Sequence, residues 1–329
     1  MSENLVEFKN LKTYFHTSEG IVKAVDNVSF NIKKGETVCV VGESGCGKSV
    51  TAMSLMRLIP NPPGKIESGE ILFEGKDILK FSDEELMDMR GNTVSVIFQE
   101  PMTSLNPVFT VETQICEAIR LHQGKSKQEA YDIAVNTLKI IGIPRADEIM
   151  KCYPYELSGG MRQRVMIAMA VCCNPKLLIA DEPTTALDVT IQAQILDLMR
   201  GVKEKFGTSI MLITHDLGVV AEMADYVVVM YAGKIIEEAP VVELFKNPLH
   251  PYTVGLLKSK PVLNGSESRL YSIPGQVPNP INIPISCYFN ERCEKCIERC
   301  KKELPRLIDI GNRHKVSCFL YSKEENIWI

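Results

Sequence analysis

The chain has 329 residues, of which 45% are hydrophobic and 24% charged, and its formal net charge is −4. This composition is typical of a soluble globular protein, and the mild negative charge argues against a nucleic-acid or anionic-membrane partner. The longest uninterrupted apolar run, residues 165–173, is far shorter than the about 20 residues that a bilayer-spanning helix needs. The opening sequence MSENLVEFKN lacks the basic and apolar regions of a signal peptide. We therefore expect a cytosolic protein that reaches any membrane through a partner.

Strand and helix patterns alternate over roughly the first three quarters of the chain. Short strands are predicted over residues 5–41, ending in the continuous apolar run TVCVV, which is typical of a strand buried on both faces. A helix is predicted over SVTAMSLMRLI, before Pro60. We further predict strand at 66–81, mostly helix at 83–150, and strands at 177–180, 209–214 and 226–232. This alternation indicates an α/β core with a mainly parallel sheet.

A glycine-rich loop, GESGCGKS, lies between a predicted strand and a predicted helix. It fits the G-x-x-x-x-G-K-[ST] phosphate-binding pattern, and the strand–loop–helix context supports that interpretation over a plain turn. Glycines let backbone N–H groups line an anion site, while the lysine reaches the β- and γ-phosphates and the serine hydroxyl binds Mg²⁺. The predicted nucleotide-binding residues of this segment are Gly42, Ser44, Gly45, Cys46, Gly47, Lys48, Ser49 and Val50.

Cys46 lies inside this loop, close to a helix N-terminus. Such a position can lower the pKa of a thiol. We expect alkylation of Cys46 to block nucleotide binding, although a small space-filling role is also compatible with the sequence.

Two adjacent acids, Asp181 and Glu182, follow the apolar run LLIA. Asp181 suits the coordination shell of Mg²⁺, and Glu182 suits a general base that polarises the attacking water. Two solvated loop acids are the alternative, which the preceding phosphate loop makes less favourable. A separate stretch, LSGGMRQRVMIA, predicts a helix N-terminus suited to an anion, with Ser158 either contacting that anion or capping its own helix.

These motifs, in this order, resemble the ATPase subunits of ABC transporters over residues 5 to about 245. The loop is similar to Walker A, LLIADE to Walker B, LSGGMRQ to the ABC signature and ALD, at 186–188, to the D-loop. Gln99 matches the Q-loop glutamine and His215 the switch histidine. Phe15, with Tyr14 beside it, matches the aromatic that stacks on adenine, although a strand aromatic also suits the core.

The resemblance implies an ATP-hydrolysing enzyme that works as a head-to-tail pair of ATPase subunits. Ser158 and the N–H of Gly160 would then hold a γ-phosphate bound by the partner subunit. Gln99 would sense Mg²⁺ and water and connect the site to a membrane subunit, and His215 would position Glu182 and the water. The implied fold is an ABC-type P-loop core with an antiparallel β subdomain and a helical signature subdomain at about 90–165.

Beyond about residue 250 the chain becomes rich in proline and cysteine, so we predict two domains, 1–250 and 251–329. NPLHPYT and IPGQVPNP resemble the C-terminal region of dipeptide and oligopeptide importer ATPases. Four cysteines there suit a [4Fe–4S] cluster or a structural Zn²⁺, with free thiols as a further alternative. The predicted ligands are Cys287, Cys293, Cys300 and Cys318, with Cys296 as a substitute.

The subfamily implies a distinct second ATPase subunit in a heterodimer, two transmembrane permease subunits, and indirectly an extracytoplasmic solute-binding protein. The location would be the cytoplasmic face of the cell membrane. The solute could be a di- or oligopeptide, or nickel or another small solute. Two other classes stay open: a soluble ABC ATPase of DNA repair or translation, and a regulatory iron–sulfur protein with vestigial ATPase activity. A short gap between the loop and the signature disfavours the first, and intact catalytic residues disfavour the second.

Overall fold

A computed structural model describes residues 3–98, 105–185, 188–259, 271–281 and 283–322. The chain divides into two compact units. One comprises Ile32–Thr37 and Lys80–Ile213, and the other comprises Ser2–Asn31, Val38–Leu79 and Thr214–Ile329. Both units are therefore assembled from separate stretches of sequence, and the proline-rich tail belongs to the second one.

The second unit contains an antiparallel sheet of order β2-β1-β4-β5. Its core is apolar and includes the stacked rings of Phe8 and Phe30, whose centroids lie 4.5 Å apart. The register places Phe15 opposite Gly64 across the β1–β4 pair. The strands are β1 (Asn4–Thr17), β2 (Gly20–Lys33), β4 (Gly64–Phe73) and β5 (Lys76–Asp77).

A second set of strands in the same unit places the phosphate loop. Strand β3 (Thr37–Val41) pairs in parallel with β9 (Tyr226–Tyr231), and β9 pairs in antiparallel fashion with β10 (Lys234–Pro240). From β10 the pairing continues into the tail through β12 (His314–Val316) to β11 (Ile308–Gly311). The tail thus adds two hydrogen-bonded strands to the sheet that contains β3, the strand that leads into the phosphate loop.

Among the described residues, the second unit contains four α-helices and several single-turn 3₁₀ helices. The first follows the phosphate loop, and Ser54 on it shares a buried hydrogen bond of 2.8 Å with Thr13 of β1. Two others come directly after β8 and β10, and the last α-helix lies in the tail. Their bounds are α1 (Lys48–Leu55), α8 (Leu217–Met223), α9 (Val241–Lys246) and α10 (Pro251–Lys258), and a single-turn 3₁₀ helix spans Asn290–Arg292.

The first unit combines three parallel strands with helices. Strand β7 (Leu177–Asp181) lies between β6 (Val94–Ile97) and β8 (Ser209–Thr214), and all three strands run parallel. Both β7 and β8 are buried throughout, which explains their uninterrupted apolar sequences. The helices are α2 (Asp83–Met89), α3 (Val111–Gln123), α4 (Lys127–Ile140), α5 (Ala146–Ile149), α6 (Gly159–Val171) and α7 (Val189–Phe206).

The observed elements confirm the α/β prediction and refine its boundaries. Helix α1 ends at Leu55, earlier than the predicted stop at Pro60. The segment predicted as mostly helical, 83–150, contains strand β6, whose four residues are too few to show a period. Within the described ranges, no helix combines the length and apolar character needed to cross a bilayer.

Candidate functional site

The backbone of the phosphate loop adopts conformations that favour glycine. Gly42, Gly45 and Gly47 have φ values of +149°, +79° and +102°. A Cβ on Gly42 would overlap the carbonyl oxygen of Met230, and one on Gly47 would overlap that of Ala24. These two positions therefore require glycine for both backbone and packing reasons. The loop curves from the end of β3 into the N-terminus of α1, which is the geometry that places free N–H groups around an anion.

Lys48 opens α1 and folds back over the loop. Its ammonium donates hydrogen bonds to the carbonyl oxygens of Gly42 at 2.8 Å and Glu43 at 3.1 Å. Only 6% of the residue is exposed, so its charge is fixed at the loop. Ser44 and Ser49 are exposed, and Val50 is half-buried. A fixed cation beside exposed hydroxyls is chemically suited to phosphate and its metal ion.

Cys46 departs from its predicted behaviour. Only 1% of the residue is exposed, and burial raises the pKa of its thiol although Lys48 lies nearby. Burial therefore opposes the lowered thiol pKa expected from the loop position, and the effect of alkylation on nucleotide binding stays a prediction. The cost of burying a charged sulfur exceeds the benefit of the helix N-terminus and the cation. Cys46 instead fills space, and its carbonyl accepts a hydrogen bond from Gly233 at 3.0 Å.

The two candidate aromatics are adjacent on β1, so their side chains lie on opposite faces of the strand. The Tyr14 hydroxyl donates to Asp26 at 2.9 Å, and burial together with this carboxylate raises the pKa of the phenol. Phe15 is half-buried and packs against Gly64, where a Cβ would crowd its ring. The Tyr14 hydroxyl thus has a hydrogen-bond partner, whereas Phe15 has no polar group and offers only its ring. Adenine stacking by either residue stays a prediction.

The acidic pair lies at the end of β7 in the first unit. Asp181 is buried, and Glu182 follows with a left-handed backbone, φ +46°. The Glu182 amide donates to Ile213 at 2.9 Å, and its carboxylate accepts from the Thr185 hydroxyl at 2.8 Å. Unusual backbone angles held by surrounding contacts are common at functional sites. The acid proposed as a general base is therefore held both by its backbone and by its side chain.

Ser158 caps helix α6. Its side-chain oxygen accepts from the Met161 amide at 3.3 Å, while the residue itself is exposed. Since a hydroxyl accepts through its lone pairs and donates through its proton, capping leaves the donor role compatible with an external anion. Gly159 is exposed and Gly160 half-exposed, so their amides border solvent at the helix N-terminus. Both interpretations of Ser158 are thus geometrically compatible.

His215 follows β8 directly, in the second unit. It is exposed, and Asp216 caps the next helix by accepting from the Gly218 amide at 2.7 Å. Gln99, Ala186 and Leu187 lie outside the described residues. Asp188, the last residue of the predicted D-loop, caps α7 by accepting from the Ile191 amide at 2.9 Å.

The sequence matches two known protein families and related transport proteins. The ABC transporter family matches residues 25–185, and the oligopeptide/dipeptide transporter C-terminal region matches residues 236–300. The oligopeptide transport ATP-binding protein AppD of Bacillus subtilis is 55% identical over 97% of this chain and 98% of its own length. This chain belongs to the ABC transporter family.

Further relatives place the chain among the ATP-binding subunits of that family. The oligopeptide transport ATP-binding protein OppD of Haemophilus influenzae is 46% identical over 98% of this chain and 99% of its own. The dimeric ABC transporter cassette MJ0796 has a TM-score of 0.64 at 28% identity, covering 72% of this chain and 98% of its own. The predicted family, ATPase activity and cassette fold are confirmed.

The tail cysteines do not behave as the ABC subfamily resemblance predicted. Across the described ranges, no group of three or more His, Cys, Asp or Glu side chains is arranged to hold a metal ion. The predicted [4Fe–4S] cluster, with its Zn²⁺ alternative, is wrong. Cys287, Cys293, Cys296, Cys300 and Cys318 are present as free thiols, of which Cys300 and Cys318 are buried.

Sequence analysis missed residues that hold the ABC motifs in place. Gln163, in the signature, is 1% exposed and donates from its amide to Pro183 at 2.6 Å. Arg162 and Arg164 donate to main-chain carbonyls, of Pro154 at 2.7 Å and Ile141 at 2.8 Å. Gln163 lies between two arginines in the sequence, so no local pattern marked it as a buried residue.

Proposed function

We propose that this ABC ATPase powers the import of di- or oligopeptides through a membrane transporter. The observation that carries the proposal is the full-length similarity to AppD, which extends through the peptide-transporter C-terminal region. The match to the oligopeptide/dipeptide transporter C-terminal region supports the peptide assignment, and the phosphate loop geometry supports the ATP-dependent part.

Each motif has a role in the proposed mechanism. Lys48 and the loop amides bind the ATP phosphates, and Phe15 or Tyr14 contacts adenine. The Ser49 hydroxyl and the Asp181 carboxylate would suit Mg²⁺, which prefers hard oxygen ligands, and Gln99 would be a further oxygen ligand. When bound, the ion neutralises charge on the phosphates. Glu182 takes a proton from the attacking water, and His215 contacts the γ-phosphate and positions Glu182 and the water.

Dimer closure completes the proposed ATP site. Ser158 and the Gly160 amide, at the exposed N-terminus of α6, contact the γ-phosphate bound by a second ATPase subunit. A helix N-terminus with free N–H groups stabilises such an anion. The dimeric state named for MJ0796 supports this arrangement, and we infer a heterodimer with a similar but distinct subunit.

The remaining partners follow from the transport role. Two transmembrane permease subunits would bind this chain at the cytoplasmic face of the membrane, and a solute-binding protein would act indirectly. We propose residues 1–250 as the nucleotide-binding domain, with a helical signature subdomain at about 90–165. Residues 251–329 would form the importer-type C-terminal domain.

The test is peptide uptake in cells whose only copy of this subunit is wild type or Glu182→Gln. Wild type should support growth of an amino-acid auxotroph on di- and oligopeptides, and Glu182→Gln should not, although it still binds ATP. Glu84→Gln is the matched control, since Glu84 is exposed in the first turn of α2. Uptake of nickel instead of peptides by the wild type would reject the peptide assignment while keeping the ATPase.

A further inference from the structure

Glu43, in the phosphate loop, is held at three separate points. Its carbonyl accepts from the Lys48 ammonium at 3.1 Å. Its backbone amide donates to the hydroxyl of Tyr252 at 2.8 Å. Its carboxylate binds the Arg292 guanidinium through both oxygens, at 3.0 and 3.2 Å. Two of these three contacts come from the tail, which follows the loop by more than two hundred residues.

The Arg292 guanidinium makes further hydrogen bonds that hold it beside Glu43. Besides Glu43, its guanidinium donates to the Tyr231 hydroxyl at 3.2 Å and to the Pro274 carbonyl at 2.8 Å. Only 8% of the residue is exposed, and its charge lies 5.7 Å from the centroid of the Tyr231 ring. A bidentate pair fixes orientation as well as distance, and burial protects it from the screening that weakens exposed ion pairs.

The path of Arg292 depends on Gly275. That glycine has φ +76°, and a Cβ there would lie 3.2 Å from Cγ of Arg292. The IPGQVP segment, between α10 and the 3₁₀ helix that bears Arg292, therefore leaves room for the arginine stem. The approach of Arg292 to the loop is thus specified by the backbone of the tail as well as by charge.

Tyr252 belongs to a buried aromatic cluster below the loop. It is fully buried, and its ring lies 4.7 Å from Tyr231 and 5.5 Å from Phe289 between centroids. The preceding His250 caps α10 by accepting from the Tyr252 amide at 3.1 Å. The His-Pro-Tyr sequence thus starts a helix and places a phenol beneath Glu43.

We propose that the tail positions the ATP site, with Arg292 and Tyr252 acting through Glu43 to hold the phosphate loop in its nucleotide-receiving form. Because Lys48 hydrogen-bonds the same residue that the tail holds, a displaced Glu43 also displaces the ammonium that meets the phosphates. The inference rests on the proposed assignment of Gly42–Ser49 as the ATP site. Arg292 and Tyr252 are positioning residues, since neither is placed to touch the nucleotide.

The test compares Tyr252→Phe and Arg292→Lys with the wild-type chain in steady-state ATP hydrolysis. Phenylalanine keeps the ring but loses the acceptor for the Glu43 amide, and lysine keeps the charge but loses the bidentate geometry. We expect KM for ATP to rise about tenfold, because small displacements in a positioned site cost that order or more, while kcat changes by less than about twofold.

Two matched controls come from the same tail. Tyr321→Phe removes a phenol that donates to Leu249 at 3.1 Å, and Arg299→Lys alters an ion pair with Glu303 at 3.0 Å. Neither of these two contacts involves the phosphate loop, so both controls should keep the wild-type KM. Thermal unfolding without nucleotide is measured for all four variants, so that a loss of folded protein is separated from a weaker ATP site.

The possible outcomes distinguish a failure of this inference from a failure of the proposed ATP site. A wild-type KM in both Tyr252→Phe and Arg292→Lys would overturn the inference, as would a KM increase equal to that of the controls. A double variant, Glu43→Gln with Arg292→Lys, should be no worse than the poorer single variant, since both act through one contact. If Lys48→Ala bound ATP as well as wild type, the site assignment itself would fail, whatever the tail variants showed.

Discussion

The side-chain amide of Gln163 donates a hydrogen bond to the carbonyl of Pro183 at 2.6 Å, joining the signature helix to the loop after Glu182. Both residues are buried, so neither exchanges this partner readily for water. The element proposed to meet the partner subunit and the proposed general base are thereby connected within one unit of the chain.

Gln163→Met should lower kcat for ATP hydrolysis about tenfold, because the loop carrying Glu182 loses its fixed distance from α6. The unpaired Pro183 carbonyl should also cost about 1 to 3 kcal/mol of stability. Steady-state kinetics and urea unfolding measure the two effects. Gln128→Met, at an exposed position of α4, is the control. An unchanged kcat in a destabilised Gln163→Met would show that the contact is structural alone.

Thr185→Val should lower kcat while ATP binding stays intact. The substitution keeps the branched shape but removes the hydroxyl that donates to the Glu182 carboxylate at 2.8 Å. A carboxylate that is less well oriented is a poorer base, and a loss of about threefold to tenfold is expected. Nucleotide titration and single-turnover hydrolysis separate binding from chemistry. Thr113→Val, exposed on α3, should match wild type.

The stability of the chain should fall on acidification through His250. Burial lowers the pKa of this imidazole to about 4, and the facing Glu237 only partly offsets that effect. The unfolded chain binds the proton near the ordinary pKa of about 6.5, so between about pH 6.5 and 4 protons favour unfolding. The loss reaches at most about 3 kcal/mol at the acid end of that window.

His250→Asn tests this assignment, because asparagine can also cap a helix but does not titrate. Urea unfolding at pH 7 and pH 5 should show a smaller acid loss in the variant than in wild type. His122→Asn, on α3, should keep the wild-type loss. Equal pH dependence in wild type and His250→Asn would rule out His250 as the source.

Cys46 should resist alkylation at neutral pH, since burial both shields the sulfur and raises its pKa. Iodoacetamide labelling followed by mass spectrometry should find Cys152, which is partly exposed, modified before Cys46. Any inhibition of the ATPase by the reagent should be the same in Cys46→Ser as in wild type. Protection of the variant alone would restore the reactive-thiol hypothesis.

Features that depend on residues close together in the sequence could be predicted, whereas features that depend on long-range contacts could not. The phosphate loop was predictable because its glycines, lysine and flanking elements lie within one strand–loop–helix unit. The cap at Ser158 was predictable for the same reason. Strand β6 was missed because four residues carry too little pattern, and its place depends on pairing with β7.

The errors and omissions come from tertiary burial. The thiol pKa of Cys46 was predicted from its local position at a helix N-terminus, but the packing of its neighbours decides it. The tail cysteines have spacing compatible with a metal, yet spacing alone does not arrange ligands in space. The Arg292–Glu43 pair joins residues 249 positions apart, and no local pattern marks either one. Such contacts require the folded chain.

Glu237, on β10, gives the tail a further consequence. Its fully buried carboxylate accepts from the amides of Leu249 and His250, each at 2.8 Å, and pairs with His314 at 2.8 Å. The matched C-terminal region begins at residue 236, beside this acid and within the proposed 1–250 domain. Cutting the chain after residue 250 would keep the two amide donors but leave this buried carboxylate without His314. The ATPase core therefore loses a buried contact when it is separated from the tail. A chimera that exchanges tails between relatives must keep a partner for Glu237.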